Sequence, residues 1–361
     1  MILSKCLICG HAEDGIHTKC LKCGGMVLFE YTDLKWSVQH DLPSMWRYWR
    51  MLPPTEKRVT FGEGYTPIKK VGGVFVKNET INPTRSYADR ASSIIVSNLS
   101  SSSLKYVKDF ALSLTYYLKS SNKPVKIYVD PKEADPQELI FLHHLGAEVL
   151  FSDPPNLSIL NYDNPFTVEG LKTIAFEIVE SGPKIDEIYV PAKTGLLALS
   201  IIKGLREASE SGIDLSSSYS VVAVTLGGDK ILPHRIKTVS VDPHEALKSL
   251  VDLARLGIRT ELLSASAYLM AANSGSGLAL LSGSSRIDVR LGGGRPSPIK
   301  LEVKRILERR GSATAYEVWE DIGTYSLRGI YKVMRTMEIE GTIKGEYIMH
   351  GRRKVKQYHL L

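Results

Sequence analysis

Asn82-Pro83-Thr84-Arg85-Ser86-Tyr87-Ala88-Asp89-Arg90 is the stretch on which the reading of this chain turns. A short Val-rich run, Val74-Phe75-Val76-Lys77, precedes it and reads as a strand. Downstream come Val125–Val129, Ala147–Phe151, Glu187–Val190 and Val221–Thr225. These further Val/Ile-rich runs are separated by amphipathic segments of roughly 10–20 residues. Strands alternating with helices predict an α/β body with parallel sheets and helices on both faces. No glycine occurs from Val74 to Leu145, so nothing there lets the backbone come close to a bound anion.

All four cysteines lie near the start, as Cys6, Cys9, Cys20 and Cys23, in the pattern C-x2-C-x10-C-x2-C. Gly10 and Gly24-Gly25 follow the two pairs and allow the tight turns that aim backbone amides at sulfur. Four thiolates so arranged close around one tetrahedral ion, which predicts a structural zinc (Zn2+) ribbon with a connecting strand over residues 1–41. Two disulfides or a redox pair are the alternatives. Four sulfurs leave no open position for catalysis, and His11 and His17 are expected on the surface. An aromatic-rich helix bounded by prolines, Leu42–Pro54, follows as packing.

The 361 residues are 43% hydrophobic and 24% charged, the balance of an ordinary globular protein with room for two or three domains. No run is apolar and long enough to cross a bilayer and the N-terminus is no signal peptide, so a cytoplasmic location is expected. The net charge of +7 is uneven: the last 63 residues hold 13 Lys/Arg against 8 Asp/Glu. A Gly-rich linker at 292–298 leads into them. Helical periodicity over Ile299–Arg310, Thr314–Ile322 and Ser326–Glu340, then a hairpin with a basic tip, predict a winged helix at 299–361.

In its third helix Leu327, Ile330, Val333, Met334 and Met337 share the core face. Ser326, Arg328, Lys332 and Arg335 fall opposite, as a recognition helix would present them to a major groove. Arg352, Arg353, Lys354 and Lys356 on the wing would reach phosphates. The partner expected is nucleic acid, DNA rather than RNA, although a protein-binding winged helix with a solubilising basic face has the same pattern.

The opening segment resembles the N-P-T-x-S-[FY]-K-D-R motif of the threonine synthase family, fold-type II enzymes that use pyridoxal phosphate (PLP). Thr60–Ile68 is similar to that family's L-G-E-G-x-T-P-L turn, and Trp46-Arg47-Tyr48 to a segment that follows the zinc ribbon in its archaeal members. Asn164-Pro165-Phe166 with Glu169–Ile178, Gly257–Ala267 and Leu280–Gly283 extend the likeness in order and spacing over residues 1–290. The resemblance implies a tryptophan synthase β-like body of two subdomains over 42–291, the smaller at about 95–165. It also implies a homodimer.

In that family the lysine of the motif carries the cofactor as a Schiff base, and here Ala88 stands in its place. Alanine has no amine from which an imine could form. The substrate-carboxylate loop Ser-x-Gly-Asn-Thr is also missing, with Ser97–Leu104 read in its position. The phosphate loop G-N-G-G is reduced to Ala192-Lys193-Thr194-Gly195, and Ser282 matches the residue that faces the pyridine nitrogen. Lys193, Thr194, Gly195 and Ser282 therefore read as a cofactor-site remnant, without catalytic residues and without PLP. That remnant could still hold a small anionic metabolite.

The expectation is a catalytically inactive threonine synthase-like protein acting as a nucleic-acid-binding regulator. The alternatives are an active PLP-dependent lyase converting O-phospho-L-homoserine to L-threonine, and a protein-interaction scaffold.

Overall fold

The protein, here a computed structural model, is described at residues 1–154, 159–215, 219–227, 236–283, 298–323, 325–339, 342–350 and 353–360. It forms two compact units, 1–286 and 287–361.

The first unit opens with an antiparallel sheet in the order β2-β1-β3, from β1 (Ile2–Cys6), β2 (Ala12–Asp14) and β3 (Val27–Tyr31). A 3-10 segment, Met45–Met51, follows; the Ser44 hydroxyl caps it by accepting from Trp46 N. β4 (Ile68–Val71) and β5 (Val74–Asn78) form a hairpin whose tip, Gly72-Gly73, has positive φ at both residues. The quoted stretch then delivers the chain into α1 (Ala88–Asn98).

Next come β6 (Ser103–Lys105), α2 (Phe110–Lys119), β7 (Lys126–Tyr128), α3 (Pro136–His144) and β8 (Glu148–Leu150). Their strands make a parallel sheet, β6-β7-β8, the heart of a small lobe. α3 starts where its composition says it should, with Asp135 accepting from Gln137 N and Glu138 N, and Pro136 at the first helical position.

The large lobe is completed by α4 (Pro165–Ser181), β9 (Glu187–Pro191), α5 (Leu196–Glu210), β10 (Ser220–Leu226), β11 (Lys237–Val241), α6 (Pro243–Arg255), α7 (Leu262–Ser274) and β12 (Gly277–Leu281). Asn164 and Pro165 begin α4, and Gly182 in the left-handed region ends it. The six-stranded order is β11-β10-β9-β12-β5-β4, parallel except for the β4–β5 hairpin. β12 is buried at every residue and β9 at four of five, as strands covered on both faces must be. α4 and α5 pack closely because Gly204 of α5 lies where any Cβ would meet Lys172 O, at 2.5 Å.

The second unit contains α8 (Pro298–Arg310), β13 (Ser312–Thr314), α9 (Ala315–Ile322), α10 (Leu327–Ile339), β14 (Ile343–His350) and β15 (Arg353–Leu360). Three helices and the antiparallel sheet β13-β15-β14 give a winged helix around Val303, Leu307, Val318, Ile330, Met334 and Met337. A Thr314–Glu317 capping box starts α9 and Gly323 ends it. Of the linker at 292–298, only Pro298 is among the described residues, as the first residue of α8.

Candidate functional site

Parallel sheets gather their loops at the carboxyl ends of the strands, and a ligand normally sits there. A cavity of about 530 Å³ occupies that position, bordered by the loops after β6, β7, β9 and β12. Lys193, Thr194 and Gly195 line it after β9, and Ser282 after β12. Gly195 has φ +87° at the start of α5, and the Thr194 hydroxyl accepts from Leu196 N at 3.4 Å. The Lys193 ammonium lies 3.2 Å from Glu133, with both side chains largely exposed. The Ser282 hydroxyl meets that of Ser264 at 3.0 Å.

Ala88 is the first residue of α1, fully buried, its N–H donating to the Ser86 hydroxyl. Its neighbour Tyr87 borders the cavity, donates its N–H to Ser282 O, and meets the Tyr162 hydroxyl at 2.9 Å. The altered lysine position therefore sits at the edge of the site, and a methyl group is all it offers.

One sequence assignment is corrected here. Ser97–Leu104 does not form the missing loop: Ser97 and Asn98 end α1, and Ser103–Lys105 is β6. The loop that borders the cavity is Tyr106-Val107-Lys108-Asp109, between β6 and the N-terminus of α2. With no glycine there, Asp109 itself takes a left-handed φ of 69°. Its N–H, with that of Leu112, donates to the carboxylate of Glu138, which is 4% exposed. A helix N-terminus able to receive an anion is thus filled by the protein's own carboxylate.

Lys108 in this loop stands 3.2 Å from Asp135 and 3.2 Å from Glu261. Partial burial opposes its charge, but the Glu261 and Asp135 carboxylates hold the ammonium well above the ordinary lysine range. Asp163 is pushed up by its own burial, against the attraction of Lys105. Lys108, Glu133 and Glu138 are not marked by any motif in the sequence, whereas Glu261 lies within the Gly257–Ala267 likeness. The signal present was the pattern strand, Tyr-Val-Lys-Asp, helix, hidden because the expected glycines were absent.

The residues that carry the family resemblance lie mostly outside this cavity. Arg90 is completely buried and donates to Glu79 at 2.7 and 2.8 Å, to Glu177 at 2.5 and 2.9 Å, and to Thr173 at 2.9 Å. Lys77 joins at 2.5 Å from Glu177, and Thr66 donates to Glu79 at 2.6 Å. Burial works against the Glu177 carboxylate, yet Arg90 and Lys77 bring it down to about 2. A second cluster, Glu169, Lys172, Lys203 and Glu207, sits between α4 and α5. Tyr31 of β3 donates to Glu169 at 2.5 Å and so joins the cysteine-bearing sheet to the body.

The four Cys Sγ atoms lie within 4.8 Å of one another, with Cys6–Cys23 at 3.5 Å and Cys9–Cys20 at 3.7 Å. Four thiolates on one tetrahedral ion stand about 3.8 Å apart if each bond is roughly 2.3 Å. Ile8 N donates to Cys6 Sγ at 3.3 Å, as the knuckle turn requires. The cluster can hold a metal ion.

On α10, Arg328, Lys332 and Arg335 are exposed, as is Ser326 just before it, whose hydroxyl accepts from Gly329 N. Tyr331 is 52% exposed among them. Lys354 is exposed and lies over the Tyr347 ring at 5.0 Å. Lys356 departs from the expected role: its ammonium is 2.7 Å from Glu338 of α10, so it joins wing to helix and is already neutralised. Arg352 and the side chain of Arg353 lie outside the described residues.

A two-lobed body with its cavity at the strand ends, built on a buried Arg–Glu framework, defines a class. The chain belongs to the pyridoxal-phosphate dependent enzyme family, whose model matches residues 59–286, and within it to the threonine synthase-like, fold-type II group. It is 27% identical over 293 residues to the threonine synthase of Methanosarcina acetivorans, covering 70% of this chain and 72% of that one. With the threonine synthase of Methanocaldococcus jannaschii it shares 26% over 300 residues, covering 71% and 74%. In fold it is similar to a cysteine synthase from Entamoeba histolytica, with TM-score 0.51 and 16% identity over 66% of this chain and 92% of that one.

The cofactor in the family's name does not fit the residues present. Position 88 offers no amine, one glycine of the phosphate loop remains, and Glu138 occupies the α2 N-terminus.

Proposed function

We propose that this chain has given up the chemistry of its family and serves as a nucleic-acid-binding regulator. The observation that carries this is the fully buried Ala88 where a cofactor lysine would stand. Of the cavity-lining lysines, Lys108 and Lys193 are paired with carboxylates. Meanwhile α10 presents Arg328, Lys332 and Arg335 to solvent on one helix, the arrangement that a DNA major groove accepts. The body would pair two such modules as a homodimer, the cysteine cluster would hold zinc as a structural ion, and the cavity would admit a small anionic metabolite. No described helix is long and apolar enough to cross a membrane.

Two measurements test this reading. Duplex DNA should be shifted in a gel, with affinity falling linearly on a log scale as salt rises. Borohydride reduction of the protein as purified, without added PLP, should reveal no phosphopyridoxyl group on the body. Threonine formation from O-phospho-L-homoserine would favour the enzymatic alternative. Lys105, which also lines the cavity, would then be the residue to examine.

A further inference from the structure

We infer that the cleft between the two lobes is clasped shut by the protein's own charges, with Lys108 as the clasp. Lys108 belongs to the small lobe, on the loop between β6 and α2. Glu261 belongs to the large lobe as the residue that precedes α7, and its N–H donates to Gly283 O at the end of β12. The 3.2 Å pair between them therefore crosses the cavity from one sheet system to the other. Asp135, at the start of α3, holds the same ammonium from the small-lobe side.

The surroundings make this pair more than an ordinary surface contact. Exposed ion pairs contribute little, because water screens them and both side chains must be ordered. Lys193–Glu133, which also spans the lobes, is such a pair, with side chains 76% and 60% exposed. Lys108 differs: it is 47% exposed, its two acceptors 27% and 28%, and it answers two carboxylates at once. Its loop is fixed from beneath as well, since Glu138 accepts the N–H groups of Asp109 and Leu112. A loop so held leaves Lys108 little freedom to swing away, so less entropy opposes the pair.

In a cleft that closes around a ligand, the ligand supplies the charges that draw the lobes together. Here Asp135 and Glu261 of the chain itself supply those charges, and the lobes stay together until the Lys108–Glu261 pair is broken. This inference is independent of whether the C-terminal unit binds nucleic acid.

Hydrogen exchange read by mass spectrometry on the full chain tests it, in wild type and in Lys108→Met, Lys108→Arg, Glu261→Gln and Lys193→Met. Lys108→Met and Glu261→Gln should speed exchange roughly fivefold or more in segments 104–112 and 131–138, leaving β9 and β12 unchanged. Lys108→Arg and Lys193→Met should stay near wild type. High salt should move wild type toward the Lys108→Met pattern without altering that variant further. Should Lys108→Met exchange faster everywhere, Glu261→Gln decides: faster exchange confined to the two segments supports the clasp. Unchanged exchange in Glu261→Gln, or insensitivity of wild type to salt, overturns it.

Discussion

Ala88 and Arg90 stand two residues apart at the start of one helix, yet they face regions of opposite character. Arg90 enters a framework in which every charge has its partner, buried from water: Glu79, Glu177 and Lys77. Ala88 stands at the edge of a cavity where Lys108 and Lys193 pair with carboxylates of the chain and Glu138 accepts from the N-terminus of α2. The comparison teaches what holds a fold and what holds an activity. Removing one member of a buried charge network strands the others at a cost of several kcal/mol. Removing a cofactor lysine at the rim of a cavity strands nothing. The framework is therefore held by stability, whatever the cavity does.

The largest effect expected is on the framework. Arg90→Met leaves Glu79 without its cation and Glu177 with Lys77 alone, and should cost about 3–5 kcal/mol, measured by denaturant unfolding. A loss below about 1 kcal/mol would remove the contrast between the two regions.

Acid should act on the same framework. Glu177 is held near 2 in the folded protein, below the ordinary glutamate value of about 4.3. The folded state therefore binds fewer protons, and the stability this confers is fully present above about pH 4.3 and lost as the pH falls toward 2. Melting followed across that window should show the slope in wild type and a shallower one in Arg90→Met.

At the cavity, returning one group should not return the activity. Ala88→Lys is expected to show no threonine formation from O-phospho-L-homoserine. The α2 N-terminus remains capped by Glu138, and the phosphate loop keeps Ala192 and Thr194 in place of two glycines. Turnover by that single variant would mean that the second and third changes matter less than the first.

The smallest effect is graded. Lys332→Ala and Arg335→Ala should each lower the salt dependence of DNA affinity by about 0.9 in log–log slope if that side chain meets a phosphate. Lys356→Ala should leave the slope unchanged and instead lower stability slightly, because its charge is already matched by Glu338.

Much of the framework was legible in the sequence. Asn164-Pro165 opening α4, Asp135-Pro136 opening α3 and the Thr314–Glu317 box are local signals, and local physics honours them. The cysteine spacing likewise brought four sulfurs together. The cavity was read less well, because its residues come from four loops brought together only by the fold. Without glycines the β6–α2 loop gave no sign of itself, and Glu138 looked like any acidic residue in the first turn of a helix. That Lys356 turns to Glu338 depends on strand register, which a run of basic residues does not reveal.

The central claim is that no amine of the body captures the cofactor of this family. The protein as purified, reduced with borohydride without added PLP and weighed intact before peptide mapping, puts it to a direct test. The expected product is colourless protein of unchanged mass; a phosphopyridoxyl group recovered on any lysine between residues 59 and 286 would contradict it.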